Sequence, residues 1–167
     1  MSGSNFVFNI AKGRVTEYYK RIMDNDPLNS VYTVVVLTSQ TTIVDATLID
    51  IDNLAAILQS GTGPYQEANQ SGYSRREIHG GSSPALPSFP NPDDGNDRYD
   101  LDFPDITWTS VAATGSPWAK FLVCYDSDSS GGTDSGIIPL TAHSFDVTPD
   151  GSDITAQIAA AGFFRAA

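Results

Sequence analysis

Residues 31–37 read Val-Tyr-Thr-Val-Val-Val-Leu, and this stretch decides the fold class. Five of its seven residues are β-branched, which favours an extended backbone over a helix. A strand covered on both faces is apolar along nearly its whole length, whereas a half-exposed strand alternates. The stretch therefore predicts a central strand, which begins after Asn25-Asp26-Pro27 because proline cannot continue a helix.

The second half of the chain predicts further strands at short spacing. Turn signals such as Asp94-Gly95 and Gly115-Ser116-Pro117 separate its apolar runs, and short strands with frequent turns are typical of sandwiches and barrels. We therefore predict a mainly β fold, α+β at the margin, built as an antiparallel β-sandwich or barrel-like sheet. The predicted strands are Gly72–Ile78, Arg98–Phe103, Ile106–Val111, Trp118–Tyr125, Ile137–Phe145 and Ile154–Phe164.

Alternation is clearest in the strand predicted at Arg98–Phe103. Successive side chains of a strand point to opposite faces, so Tyr99, Leu101 and Phe103 are expected in the core. Asp100 and Asp102 are expected to point outward on the same grounds.

Two helices accompany these strands. Apolar residues at spacings of three and four predict an N-terminal helix over Asn9–Met23. A short second helix is expected after residue 52, with Asp50 or Asp52 as its N-terminal cap and Gly61 beyond its end. Residues 1–167 are expected to form one domain, with a helical segment at about 6–24 and a Gly/Pro-rich excursion at about 61–97.

Composition and charge limit the possible partners. The net charge of −11 would repel nucleic acid, and no apolar run approaches the ~20 residues that cross a membrane. Residues 1–5 carry no secretion signal, so synthesis in the cytoplasm is expected. Seventeen of the twenty acidic residues are Asp, which favours turns and helix caps.

The N-terminal segment is cationic although the chain is acidic. Lys12, Arg14, Lys20 and Arg21 supply four of the nine basic residues. They form either a solvated helical face or an arm that docks on an acidic neighbour.

Two other segments are candidates for contact with a partner. The proline-rich stretch Pro84–Pro92 is expected to be extended, with Leu86 and Phe89 as apolar anchors, or else to be an ordinary surface loop. Near the C-terminus, Phe163 and Phe164 are adjacent, so on a strand one would enter the core while the other faces a partner.

No motif predicts catalysis or a cofactor. His79 and His143 lie in no nucleophile motif, and no glycine-rich phosphate loop is present. His143 is expected to be a half-buried strand residue and Cys124 a small core side chain that forms no internal disulfide.

The loop after the strand at Trp118–Tyr125 resembles half of a calcium-binding loop. Asp126, Asp128 and Asp134 offer oxygen ligands, but Ile137 stands at the twelfth position, where a bidentate glutamate would be required. We therefore predict no metal site, with these three aspartates as the residues that a partial site would use. The alternative is a plain Asp/Ser/Gly hairpin loop.

A second acidic cluster surrounds Arg98. Either it is a solvated edge that discourages wrong strand pairing, or it docks basic residues of a neighbour. Paired acids near aromatic side chains also raise glycoside hydrolysis as a possible activity, although acids in turns seldom stay protonated. The aromatic residues are Tyr99, Trp108, Trp118 and Tyr125. The cluster consists of Asp93, Asp94, Asp97, Asp100, Asp102 and Asp105.

Several segments resemble a group of uncharacterised virion-associated proteins of tailed bacteriophages. They are Phe6–Arg14, Asn53–Leu58, Leu122–Asp126 with Gly132–Asp134, and Thr148–Arg165. The resemblance implies a structural protein of the virion, with no active site.

Among virion proteins, a decoration or minor capsid protein on the outside of the head fits best. Its implied partners are the major capsid protein or other virion proteins and further copies of itself, with a trimer expected. A tail or head-tail junction protein is the first alternative, and a module that binds host-surface carbohydrate is the second.

Overall fold

The computed structural model describes residues 4–40, 42–58, 65–80, 92–159 and 161–166. Its largest element is a five-stranded antiparallel sheet in the order β1-β8-β7-β2-β3. The fold is mainly β and sandwich-like, as predicted, and the sheet does not close into a barrel. The strands of this sheet are β1 (Phe6–Val7), β2 (Val31–Thr38), β3 (Arg76–His79), β7 (Trp118–Asp126) and β8 (Ile138–Val147).

The prediction of a central strand at residues 31–37 is confirmed. All eight residues of β2 are buried, and β2 pairs with β7 on one side and with β3 on the other. Because β2 has a neighbouring strand on each edge and is covered on each face, it has no solvent-exposed face on which polar residues would alternate with apolar ones.

The predicted helix over Asn9–Met23 is interrupted. A 3₁₀ turn spans Asn9–Ala11, and the helix α1 spans Val15–Asp24. Gly13 between them has φ of +78°, a left-handed conformation that ends the first turn and that glycine adopts at little cost. The apolar positions are nevertheless buried as their spacing indicates, including Val15 and Ile22.

Two short helices follow β2 where one was predicted. They are α2 (Asp45–Leu48), which lies inside the apolar run after β2, and α3 (Leu54–Leu58). The cap of α3 is not Asp50 or Asp52, because the backbone N–H of Ala56 donates to Oδ1 of Asn53 at 2.8 Å. The predicted terminal Gly61 lies outside the described residues.

The predicted strand at Ile154–Phe164 is two strands in different sheets. One small sheet pairs β6 (Ile106–Trp108) with β9 (Ile154–Ala156). The other has the order β10-β5-β4, with β4 at Pro92–Asp93, β5 at Arg98–Leu101 and β10 at Phe164–Ala166. Gly162, with φ of +76°, lies between β9 and β10 and redirects the chain.

The two faces of the large sheet have different covers. On one face, the ring of Tyr32 contacts Phe163 (centroids 5.5 Å apart) and Tyr19 of α1 (6.0 Å apart). On the other face, Lys120 reaches Asp45 at the start of α2, with 3.1 Å between Nζ and Oδ1. The main sheet is therefore the middle of the fold, and the core is on both of its sides.

The strand predicted around Tyr99 packs only at one end. Leu101 and Phe103 are each 1% exposed, whereas Tyr99 is 40% exposed, so its predicted place in the core is wrong. Leu101, at the end of β5, belongs to the core, whereas Tyr99 lies where β5 pairs with β4 and β10.

Candidate partner-binding surface

The C-terminal segment is fixed against β5 by a close backbone approach at Gly162. A Cβ atom on Gly162 would lie 2.1 Å from the carbonyl oxygen of Leu101, a distance that no side chain tolerates. The next backbone N–H, that of Phe163, donates to the same oxygen at 2.9 Å. Glycine is therefore required here for the segment to reach its position.

At this position the two adjacent phenylalanines are buried to different extents. Phe163 is 9% exposed, and its ring lies 4.8 Å from the ring of Phe103 (centroid to centroid). Phe164 is only half-buried and lines an open groove. The pair therefore anchors the C-terminal strand in the core and leaves one aromatic side chain accessible to another molecule.

The groove lies between two terminal strands, β1 of the five-stranded sheet and β10 of the three-stranded sheet. It has a volume of about 470 Å³ and is open to solvent. Side chains of β7 and β8 line it between those strands. The described residues that line it are Asn5, Phe6, Val7, Phe121, Thr141, His143, Ser144, Gln157, Ile158, Ala159, Gly162, Phe163, Phe164 and Arg165.

His143 lines the groove as an uncharged group. Its ring stacks on Phe121 with centroids 4.7 Å apart, and its Nε2 lies 2.9 Å from Oγ1 of Thr141. Burial, together with the positive charge of Lys120, lowers the pKa of His143 to about 4. At neutral pH the imidazole is therefore neutral.

The remaining charge in the groove is neutralised. Arg165 lines the groove, and its Nε donates to Oδ1 of Asp100 at 2.6 Å. The described lining of the groove includes no aspartate or glutamate, although the chain has twenty acidic residues. The groove is thus an almost neutral, half-apolar surface on a strongly anionic molecule.

The four cationic residues of the N-terminal segment are all exposed, but three of them contact acidic residues of α1. Arg14 and Arg21 both contact the carboxylate of Glu17, at 3.1 and 3.0 Å, and Lys20 contacts Asp24. Hydrogen bonds from both arginines lower the pKa of Glu17. Exposed pairs of this kind contribute little to stability, so the cations can exchange partners.

Lys120 is a buried cation that the sequence analysis did not identify. It is 1% exposed, and besides Asp45 its Nζ contacts the carbonyl oxygen of Ser4 at 2.9 Å. The backbone N–H of Ser4 donates in turn to Oδ2 of Asp45 at 2.7 Å. This ion pair joins the segment before β1 to the sheet and to α2. The only signal for it in the sequence is a lysine within an otherwise apolar strand.

The three aspartates considered for calcium do not converge. Oδ1 of Asp126 accepts the backbone N–H of Asp128 at 3.0 Å, and Oδ1 of Asp128 accepts the hydroxyl of Ser130 at 2.6 Å. Asp134 instead pairs with Arg75, with 2.6 Å between Oδ1 and Nη1. In the part of the chain that the structure describes, no three metal-ligating side chains come together.

Arg75 holds two carboxylates from distant parts of the chain. Its Nη2 donates to Oε2 of Glu67 at 2.7 Å and to Oδ2 of Asp134 at 2.9 Å, and Glu67 also accepts the hydroxyl of Tyr73 at 2.9 Å. Hydrogen bonds from Arg75 lower the pKa of Asp134. The arrangement fixes the loop before β3 to the loop before β8, and the spacing of these residues in sequence gave no indication of it.

Several members of the acidic cluster around Arg98 serve the fold locally. Arg98 contacts Asp93 at 2.8 Å and Asp100 at 3.4 Å. Oδ1 of Asp105 accepts the backbone N–H of Ile158 at 2.8 Å. Partial burial raises the pKa of Asp102, which is half-buried rather than fully outward. Asp94 and Asp97 are exposed.

Of the remaining candidate residues, three are buried in the core, one is partly exposed, and two lie outside the described residues. Trp108 and Trp118 are 0% and 1% exposed, so neither can stack on a sugar from solution. Cys124 is fully buried, and burial raises the pKa of its thiol. His79 is a partly exposed residue 3.5 Å from Glu77. Leu86 and Phe89 lie outside the described residues.

Comparison of the chain with protein-family models, with curated proteins and with solved structures finds no match. Across the described ranges, no helix has the length and apolar character needed to span a bilayer.

Proposed function

We propose that this chain is a structural protein of a tailed-bacteriophage virion, and specifically a decoration protein on the outer surface of the head. The observation that carries the proposal is the near-neutral groove beside Phe164 on a chain of net charge −11. An accessible half-apolar surface on an otherwise anionic molecule suits contact with another protein. The proposed partners are the major capsid protein or other virion proteins and further copies of this chain.

The distribution of charge supports the same role. The exposed cations Lys12, Arg14, Lys20 and Arg21 occupy one short segment, while acids prevail over the rest of the chain. Because their present ion pairs are weak, these cations are available to an acidic surface on a shell subunit. Contacts of this kind are weak singly, and repetition over a particle multiplies them by avidity.

The sequence supports the proposal independently of the groove. The segments Phe6–Arg14 and Thr148–Arg165 resemble virion-associated proteins of tailed phages. In the fold these two segments meet, since Phe6 and Val7 share the groove with Phe163 and Phe164. Two of the stretches that carry the resemblance therefore contribute to the proposed contact surface.

The test is binding of the purified chain to heads that lack it, measured by co-sedimentation. We expect saturable binding, with a number of copies that scales with the number of shell subunits. Charge reversal by Lys20→Glu with Arg21→Glu should weaken binding at low salt and have less effect at high salt. No binding to heads, or binding only at the few positions of a head-tail junction, would contradict the proposal.

A further inference from the structure

The contact between Lys120 and Asp45 holds an amino group against a carboxyl group in a site that excludes water. Lys120 is 1% exposed, and Oδ1 of Asp45 is buried as well. The Nζ atom of Lys120 lies 3.1 Å from that oxygen. The ring of Phe6 lies on another side of the Nζ atom, with its centroid 5.3 Å away. Two groups held at this distance react as one molecule, without the entropy cost of an encounter.

Oδ1 of Asp45 is a buried polar atom that lacks a hydrogen bond. Although it lies beside the Lys120 ammonium, it accepts no hydrogen bond from any described residue. Nζ of Lys120 donates instead to the carbonyl oxygen of Ser4, at 2.9 Å. A buried oxygen without a hydrogen bond costs free energy. An amide bond between the two side chains would remove this cost, because this oxygen would leave as water.

The other carboxyl oxygen of Asp45 has the hydrogen-bond donors that such a reaction requires. The backbone N–H of Ser4 donates to Oδ2 at 2.7 Å, and the Ser4 hydroxyl lies 3.4 Å from the same atom. When a nucleophile adds to the carboxyl carbon, negative charge develops on this oxygen, and fixed donors stabilise it. Ser4 therefore orients the amine through its carbonyl and polarises the carboxyl group through its N–H.

We propose that Lys120 and Asp45 become joined by an amide bond between Nζ and Cγ, which the folded chain forms without an enzyme. The ion pair described above is the state of the two groups before the reaction. The bond joins β7 to the start of α2 and closes a covalent loop over residues 45–120, which constrains the unfolded chain. A chain with one cysteine cannot close such a loop by an internal disulfide. The modification does not depend on the proposed role in a virion.

The reaction needs only the atoms of the two side chains. One proton passes from the Nζ ammonium to Oδ1 of Asp45, and burial favours this transfer because it removes both charges. The lone pair of Nζ then bonds to Cγ, and one electron pair moves onto Oδ2. A second proton passes from Nζ to Oδ1, the electron pair returns from Oδ2, and the bond between Cγ and Oδ1 breaks. Oδ1 leaves as water, and no group is oxidised or reduced.

Intact-mass spectrometry of the purified full-length chain tests the proposal. We expect the wild-type chain to be lighter than its sequence by the mass of one water molecule. Asp45→Ala removes the carboxyl group and Lys120→Arg removes the amine, so neither variant should lose water. Because the variants are compared with the wild type, any processing of the N-terminus cancels.

A matched control is the ion pair between Lys20 and Asp24 on α1. The Lys20 side chain is 55% exposed, so its ammonium and the Asp24 carboxylate stay hydrated and charged. No amide is expected there, and Lys20→Arg should lose the same water molecule as the wild type.

Peptide mapping then locates the bond. Trypsin does not cleave after an acylated lysine, so the digest should contain one branched peptide that carries both Lys120 and Asp45. Mapping also separates the amide from a succinimide, which forms with loss of water where glycine follows aspartate, as at Asp94-Gly95 and Asp150-Gly151.

The proposal is overturned by a folded wild-type chain that keeps its full mass after prolonged incubation. It is also overturned if Asp45→Ala still loses water, or if the loss maps to an Asp-Gly pair. Binding to heads is a separate measurement, so a chain that lacks the bond but coats heads would refute the amide and leave the structural role standing. A chain that has the bond but does not bind heads would do the reverse.

Discussion

Trp118 and Lys120 are two residues apart on β7, yet they face opposite sides of the sheet. Trp118 pairs with Thr38, and Lys120 pairs with Leu37, so Ala119 is an extra residue on β7. This bulge lets the Trp118 ring join Trp108 at 5.2 Å while Lys120 reaches Asp45 on the other face. One inserted residue thus places an aromatic side chain in the core on one face of the sheet. On the other face it places the lysine whose ion pair holds the segment before β1.

Removing the buried cation should destabilise the protein. Lys120→Met leaves the Asp45 carboxylate without its partner, and we expect the free energy of unfolding to fall by about 2–3 kcal/mol. Asp45 is 23% exposed, which keeps the cost below that of a fully buried acid. The double variant Lys120→Met with Asp45→Asn should recover part of the loss in urea unfolding. A double variant less stable than Lys120→Met alone would contradict the assigned ion pair.

The close approach at Gly162 predicts a large effect of a small substitution. Gly162→Ala places a methyl group 2.1 Å from the Leu101 carbonyl oxygen at a φ of +76°, and should cost about 2 kcal/mol or more. Gly136→Ala is the matched control, since nothing lies within 4 Å of its Cβ position. Chemical unfolding of both variants tests this, and equal stabilities would show that the C-terminal segment does not pack as described.

The lowered pKa of His143 predicts a loss of stability in mild acid. Its pKa is about 4 in the folded protein and ~6.5 when unfolded, so the unfolded chain binds the proton first as pH falls. The free energy of unfolding should therefore fall by about 2 kcal/mol from this group between pH 7 and pH 5. His143→Gln should flatten that dependence, whereas a variant with the same slope as the wild type would refute the assignment. The pKa of Asp134 is lowered in the folded protein, so its protonation reduces the free energy of unfolding only at lower pH.

The buried Tyr32 and the half-buried Tyr73 should respond differently to loss of the hydroxyl. The Tyr32 hydroxyl is buried without a hydrogen-bond partner among the described residues, so Tyr32→Phe should be neutral or stabilising. The Tyr73 hydroxyl donates to Glu67 and accepts the backbone N–H of Val36, so Tyr73→Phe should cost about 1–3 kcal/mol. Thermal unfolding of the pair measures the difference, and a Tyr32→Phe variant that is the less stable of the two would contradict it.

The strands of the main sheet could be predicted because their signal is local. The β-branched run 31–37 gave β2 within one residue, and the apolar runs at Trp118 and Ile137 gave β7 and β8 within two residues at each end. A continuous apolar segment can be predicted to be a buried strand without knowing which strands will lie beside it.

The remaining features depend on residues far apart in sequence. Arg75 and Asp134 are 59 residues apart, and their contact gives no periodic signal. The division of Ile154–Phe164 into two strands depends on how Gly162 meets Leu101, which is a tertiary contact. The groove likewise forms only when Phe6 and Phe164 are brought together from the two ends of the described chain.

The most direct measurement is an electron-microscopy reconstruction of the phage particle that carries this chain. We predict density for the chain on the outside of the head, with the Phe164 groove covered by a neighbouring protein. A chain found inside the head or at the tail, or a groove left open to solvent in every copy, would contradict it.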